Sequence, residues 1–171
     1  MATLSATVSF FAVVLFSIVF PAATDDAGAD VKPVCAKTPY PEFCESAITV
    51  HPESKTAENA QELVYWAVES GIDFALRAHR VANGSTEVCA AACDKNFRWA
   101  DEDLGVATNW YPAYDDMIKV VNNLLDESKK KKVEWNCDEC LGKSAKDAAA
   151  ITKGNDLEKL MEILPVLAKT K

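Results

Sequence analysis

The sequence predicts an all-α protein: an up-down-up-down four-helix bundle preceded by a disulfide-stapled helical hairpin. Three observations carry this. Apolar residues recur at spacings of three and four in long segments joined by short connections, and no strand-like alternation or internal repeat is convincing. Cys35 and Cys44 bracket eight residues that include Pro39, Tyr40 and Pro41. The other four cysteines fall into two close pairs, Cys89 with Cys93 and Cys137 with Cys140, inside the helical stretches.

The chain has 171 residues, a length that suggests one domain. Residues 1–23 carry no charged side chain, and Val8–Phe20 is almost wholly apolar. That run is shorter than the roughly 20 residues of a membrane-spanning helix. Ala22 and Ala23 follow it, then Asp25 and Asp26, so residues 1–23 read as a secretory signal peptide, with Ala27-Gly28-Ala29 as a second cleavage candidate. Residues 24–171 form the mature domain, and no other segment could span a bilayer. All six cysteines lie in it; in an exported chain they imply three disulfides, with fifteen possible connectivities. The formal net charge of −8 argues against binding nucleic acid or an anionic membrane, which calls for a basic face. Asn83-Gly84-Ser85 is a glycosylation sequon suited to that compartment.

The hairpin comes first. Its prolines fix φ and lack an N–H, so no helix runs straight through, and a turn can bring Cys35 to Cys44. A long helix is expected from about Ala57 to Ala82, with Ala60, Val64, Ala67, Gly71, Ala75 and Ala78 along one stripe and Leu63, Val68 and Ile72 widening it. Asn83-Gly84 should stop it, and Ser85 or Thr86 can cap the next helix. The second helix places Cys89, Cys93, Phe97, Ala100, Leu104 and Ala107 on one face, so its cysteines point inward. Gly105 and Asn109-Trp110-Tyr111-Pro112 should end it. The third starts near Pro112, a favourable first-turn proline, with Tyr114, Met117, Ile118, Val121, Leu124 and Leu125 as its stripe. Lys129–Lys132 reads as a solvated loop. Ser144–Thr152 is Ala-rich and helical in pattern, and Asn155-Asp156-Leu157-Glu158 reads as the N-cap of a last helix that buries Leu157, Leu160, Met161, Leu164 and Leu167. Pro165 should kink or shorten that helix.

Helices two and three should be antiparallel, because their connection is short. Stepping back from Cys93 to Cys89 then moves the same way as stepping forward from Cys137 to Cys140. Cys93–Cys137 and Cys89–Cys140 can therefore stack as parallel rungs. A continuous third helix would overshoot by roughly 18 Å, which the lysine stretch must absorb as a bulge or loop. The rival arrangement is four thiolates around zinc; it suits a cytosolic chain better than an exported one, where thiols oxidise.

The pattern Cys-x-x-Thr-x-Tyr-Pro-x-x-Cys, formed by Cys35, Thr38, Tyr40, Pro41 and Cys44, resembles the opening of the plant invertase and pectin methylesterase inhibitors. Cys93, Phe97, Ala100 and Leu104 are similar to the second helix of that family. Cys137 with Leu141 resembles the end of its third helix, and Ile151-Thr152-Lys153-Gly154-Asn155 the lead-in to its last. The resemblance covers nearly all the mature chain. It implies a four-helix bundle with an N-terminal hairpin and the disulfides Cys35–Cys44 and Cys93–Cys137; Cys89 and Cys140 depart from the usual four cysteines. It also implies a secreted protein of the apoplast, or alternatively the vacuole, that needs no cofactor. Such a protein catalyses nothing: it blocks the active cleft of an invertase (β-fructofuranosidase) or a pectin methylesterase. Invertase-inhibiting members carry Pro-Lys-Phe in the connection into the third helix. The matching stretch here is Pro112-Ala113-Tyr114, with alanine in place of the lysine. Trp110, Tyr111, Pro112, Ala113 and Tyr114 are thus the expected target-binding residues.

Other classes find less in the sequence. The two histidines, His51 and His79, fall on different expected elements, and no phosphate loop, nucleophile elbow or His pair for a metal is present. His79 reads as solvent-facing or as a satisfied bundle residue. A secreted lipid-binding, structural or allergen-like helical module is the alternative, but the large stripe residues suggest a filled core rather than a cavity.

Overall fold

The computed structural model describes residues 29–109, 113–141 and 148–169; for 138, 139 and 148–153 it describes the backbone alone. The expected signal peptide, residues 1–23, lies outside the described residues. Every regular element among those described is helical.

Helix α1 spans Val31–Cys35, and the Asp30 carboxylate caps it by accepting the Lys32 N–H at 3.0 Å. Thr38 closes the turn: its N–H and hydroxyl both donate to the Cys35 carbonyl, at 2.9 and 2.8 Å. Pro41 opens α2, Pro41–Thr49, where its missing N–H costs nothing. Cys35 and Cys44 are bonded, their Cα atoms 5.6 Å apart, and both are wholly buried. The hairpin packs on the rest of the molecule through α2, and the Tyr40 hydroxyl donates to Glu162 Oε2 at 2.8 Å.

A 3₁₀ turn, Pro52–Thr56, leads to α3, Ala60–Gly84. The helix begins three residues later than the apolar pattern suggests, because Asn59 is the cap. Its Oδ1 accepts the Glu62 N–H at 3.0 Å, and Glu62 reaches back to the Glu58 N–H at 3.0 Å. It also runs through Asn83 and Gly84, with Ser85 as its C-cap. Helix α4 spans Ala90–Asn109 and is not ended by Gly105, which lies inside it. Cys89 sits just ahead of α4 and is exposed rather than inward-facing, while Cys93, one turn on, is buried.

Helix α5, Tyr114–Lys131, corrects the reading of the lysine run as a loop. Consecutive helical residues point about 100° apart, so the like charges do not stack. Lys130 and Lys131 both reach Glu127, at 2.9 and 3.7 Å, and cations suit the negative C-terminal end of a helix. Lys132, at φ 51° and ψ 49°, ends the helix in the left-handed region. Its N–H bonds to the Lys129 carbonyl, and the next N–H, of Val133, bonds to that of Ser128. The excess chain length is taken up after the lysines: residues 133–137 are non-helical and lie back along α4, where Asn96 Nδ2 donates to the Glu134 carbonyl at 3.2 Å.

A short helix, α6 (Asp138–Leu141), precedes α7 (Ala148–Leu167). Asn155 does not cap a separate helix; α7 runs through it. The reason is Gly154, which is buried, and where a Cβ would stand 3.2 Å from the Trp135 carbonyl oxygen and 3.4 Å from Phe97 Cζ. The missing side chain lets α7 lie against the 133–137 segment without breaking. Pro165 falls within the last turn, and the helix stops two residues beyond it. Helix α3 is central, packing extensively on α4 and α7, while α5 packs mainly on α4. Leu63, Phe97, Leu104, Met117, Leu124 and Leu160 are among the fully buried side chains between them.

Candidate target-binding surface

The expected interface is the connection between α4 and α5. Trp110, Tyr111 and Pro112 lie outside the described residues. Ala113 is exposed and occupies the N-cap position of α5 in extended backbone, without a side-chain cap. Tyr114 is half-buried against the core, so part of its ring serves packing. Asp115 and Asp116 fill the first turn, where acids suit the positive end of the helix, and Lys119 Nζ bonds Asp116 Oδ1 at 2.7 Å. The described part of this tip is therefore acidic. Asn83, of the sequon, is exposed at the end of α3.

The opposite end of the α4–α5 pair carries the disulfides. Cys89 is bonded to Cys140 and Cys93 to Cys137, with Cα separations of 5.8 and 6.2 Å. No cysteine is free, so the sulfurs are not thiolate ligands in this structure. The four half-cystines line one open groove of about 760 Å³, together with Asn96, Glu134 and Glu158.

A second groove, of about 730 Å³, adjoins it between α4 and residues 131–134. Lys95, Arg98, Lys131 and Lys132 border it, with Asp94, Glu102 and Glu134. Its wall is the indole of Trp99, which stacks on buried Trp135 with ring centroids 6.1 Å apart. Lys131 Nζ lies 4.3 Å over the Trp99 ring. Asp103 accepts a hydrogen bond from Trp99; burial nevertheless pushes its carboxyl above the ordinary value. Sequence reasoning missed this surface. Its residues come from two separate stretches, 92–102 and 131–134, and the one visible signal, the lysine run, also suits a solvated loop.

The histidines do other work. His79 Nδ1 lies 2.6 Å from Asp94 Oδ1, joining α3 to α4. His51 stacks on Trp66 and lies 3.0 Å from Ser70 Oγ. The Ser70 hydroxyl donates to the Ala47 carbonyl, so it accepts from His51 Nε2–H. Ser70 has no exposed surface and its proton is committed, so this pair cannot deliver a nucleophile to a substrate. Among the described residues no group of three or more His, Cys, Asp and Glu side chains could hold a metal ion, and no helix is long and apolar enough to cross a membrane.

No protein-family model, curated protein or solved structure matches the chain.

Proposed function

We propose that this chain is a secreted, stoichiometric inhibitor of a plant carbohydrate-active enzyme, an invertase or a pectin methylesterase, and that it has no turnover of its own. The observation that carries the reading is the stapled hairpin. Thr38 and Pro41 shape its turn, Cys35 and Cys44 close it inside the core, and Tyr40 ties it to Glu162. These are the residues of the motif that resembles the opening of the inhibitor family. The Cys93–Cys137 bond and the all-helical architecture agree with that resemblance. On this reading α3, α4, α5 and α7 are the four members of an up-and-down bundle, the signal peptide directs the chain to the apoplast or vacuole, and Asn83 is a glycosylation site. The tip at residues 110–114 enters or rims the target's cleft. Rigid presentation on disulfide-anchored helices limits the ordering cost of binding.

The test uses the oxidised mature protein, residues 24–171, titrated against an invertase and a pectin methylesterase. The expected result is loss of the target's rate at a near-equimolar ratio, abolished when the disulfides are reduced. Hydrolysis of a sugar ester or glycoside by the protein alone, lost on point mutation, would decide against the proposal, as would no effect on either enzyme.

A further inference from the structure

We propose that the outer disulfide, Cys89–Cys140, is a redox trigger for the inner one. Once an external dithiol opens it, the freed Cys140 sulfur attacks Cys137, and both bonds between the start of α4 and the 133–141 segment are lost together. The inference concerns the groove lined by the four half-cystines and does not rest on the inhibitor reading.

Access sets the order of events. Cys89 is exposed and Cys140 half-buried, whereas Cys93 and Cys137 are buried. All four half-cystines nevertheless line one open groove. A dithiol therefore meets Cys89 first. Its thiolate forms a mixed disulfide with Cys89 Sγ, and Cys140 leaves as a thiolate. Its second sulfur then closes the reductant's own disulfide and releases Cys89. Two electrons and two protons pass from the dithiol to the pair.

Position sets what Cys140 does next. Its N–H bonds to the Cys137 carbonyl at 3.0 Å, and that of Leu141 to the same carbonyl at 2.8 Å, so Cys137 to Cys140 is one closed turn at the start of α6. Residues three apart in such a turn have Cα atoms about 5 Å apart, inside the range of about 4.4–6.8 Å that a disulfide spans. The Cys-x-x-Cys spacing is also that of dithiols that close on themselves. Attack of the Cys140 thiolate on Cys137 Sγ forms Cys137–Cys140 and breaks Cys93–Cys137, and Cys93 takes up the proton. This second step is an exchange, with no electrons gained or lost. Cys89 is less well placed to attack Cys93: the Cys93 N–H stands 3.4 Å from the Cys89 carbonyl, a looser turn that leads into the twenty-residue α4.

The consequence is local. Helix α6 packs mainly on α7. After exchange, the Asn96–Glu134 hydrogen bond and the Trp99–Trp135 stack are left to hold the 133–137 segment on α4. Two electrons thus loosen that segment from the bundle, and reoxidation restores it.

The test treats the oxidised mature protein with one equivalent of dithiothreitol at about pH 8, where thiols begin to ionise. Samples are alkylated at once or after a delay, and the labels are mapped by mass. The expected early label is on Cys89 and Cys140. With delay it should move from Cys140 to Cys93, with Cys137 and Cys140 joined. Amide exchange across 133–141 should then quicken by about tenfold or more while α3 is unchanged. Cys89→Ser leaves Cys140 unpaired without any reductant, and its free thiol should be found on Cys93. Label that stays on Cys89 and Cys140, with Cys93–Cys137 intact, would overturn the proposal. So would label on Cys137 and Cys140, which routes the exchange through Cys89, or opening of Cys35–Cys44 first. A free thiol that stays on Cys140 in Cys89→Ser counts against it equally; if that variant does not fold, the wild-type time course decides alone.

Discussion

Gly71 of α3 and Leu160 of α7 meet so closely that a Cβ on Gly71 would stand 2.5 Å from Leu160 Cδ2, and 2.8 Å from Leu104 Cδ1. Glycine here is a packing residue: it lets the central helix lie against α7 and α4 together. Gly105 is its opposite, since nothing lies within 4 Å of a Cβ built there.

Gly71→Ala should therefore destabilise the fold by about 1–3 kcal/mol, because both leucines are fully buried and their ends must shift within the core to admit the methyl. Gly105→Ala should stabilise it by about 0.5–1 kcal/mol, the ordinary helix-propensity gain. Chemical denaturation of the two variants checks both signs; equal effects would mean that α3 and α7 are not this close.

The disulfides differ in access, and graded reduction with alkylation mapping should follow that order. Cys89 is exposed, Cys93 and Cys137 are 7% and 6% exposed, and Cys35 and Cys44 are fully buried. Cys89–Cys140 should open first and Cys35–Cys44 last. The two rungs also share one large loop, with sequence separations of 51 and 44. Serine replacement of the outer pair should cost about 2–3 kcal/mol, since the inner bond still closes the loop, and replacement of both pairs should cost about 4 kcal/mol more. Denaturation of the single-pair and double-pair variants tests this non-additivity.

Burial pushes the Asp101 carboxyl above its ordinary value, against the attraction of His79 and Arg80, and Glu102 adds to the rise. The folded state thus holds this proton more tightly than the unfolded chain. The contribution favours folding at low pH and is lost as pH rises from the ordinary carboxylate range through the raised value. Asp101→Asn should melt above wild type at pH 7, with the gap closing near pH 4. Solvent screening keeps the effect below about 1 kcal/mol. A gap that widens toward low pH would reverse the assignment.

Ala113 leaves α5 without a side-chain cap. Ala113→Asp or Ala113→Ser should add about 1 kcal/mol, or a rise of about 2–4 °C in Tm. Ala113→Lys places an ammonium at the positive end of the helix, which Asp115 and Asp116 offset, so helicity should be kept. If the tip enters an acidic invertase cleft, this lysine should strengthen inhibition about tenfold. Should Ala113→Lys and Tyr114→Ala both fold and leave inhibition of every responsive enzyme unaltered, the tip is only a helix start.

The helical stripes were readable from period alone. Val64, Ala67 and Ala75 on α3, Phe97, Ala100 and Leu104 on α4, and Leu157, Leu160 and Leu164 on α7 are buried as their spacing implies. Boundaries were less readable where a long-range contact competes with a local signal. Asn155 looks like a cap, but Gly154 packs against the Trp135 backbone and the helix continues. The lysine run looks like a loop, but Glu127 gives Lys130 and Lys131 a partner, Lys131 lies over Trp99, and α5 persists through Lys131. Cys89 shares the spacing of the inward face, yet it precedes the first turn of α4 and faces solvent.

Sequence by itself determined that the described chain is helical, which residues supply most of its apolar faces, and that the prolines of the hairpin interrupt the helix with a turn. These are local properties, set by periodicity, proline and hydrogen bonds over a few residues. The tertiary structure alone decided that α7 runs on through Asn155, how residues 133–137 turn back on α4, and that Lys95 and Arg98 border one groove with Lys131 and Lys132. The physical reason is range: each depends on backbone and side chains from distant positions approaching within a few ångströms, and no periodicity within one segment encodes its distance to another.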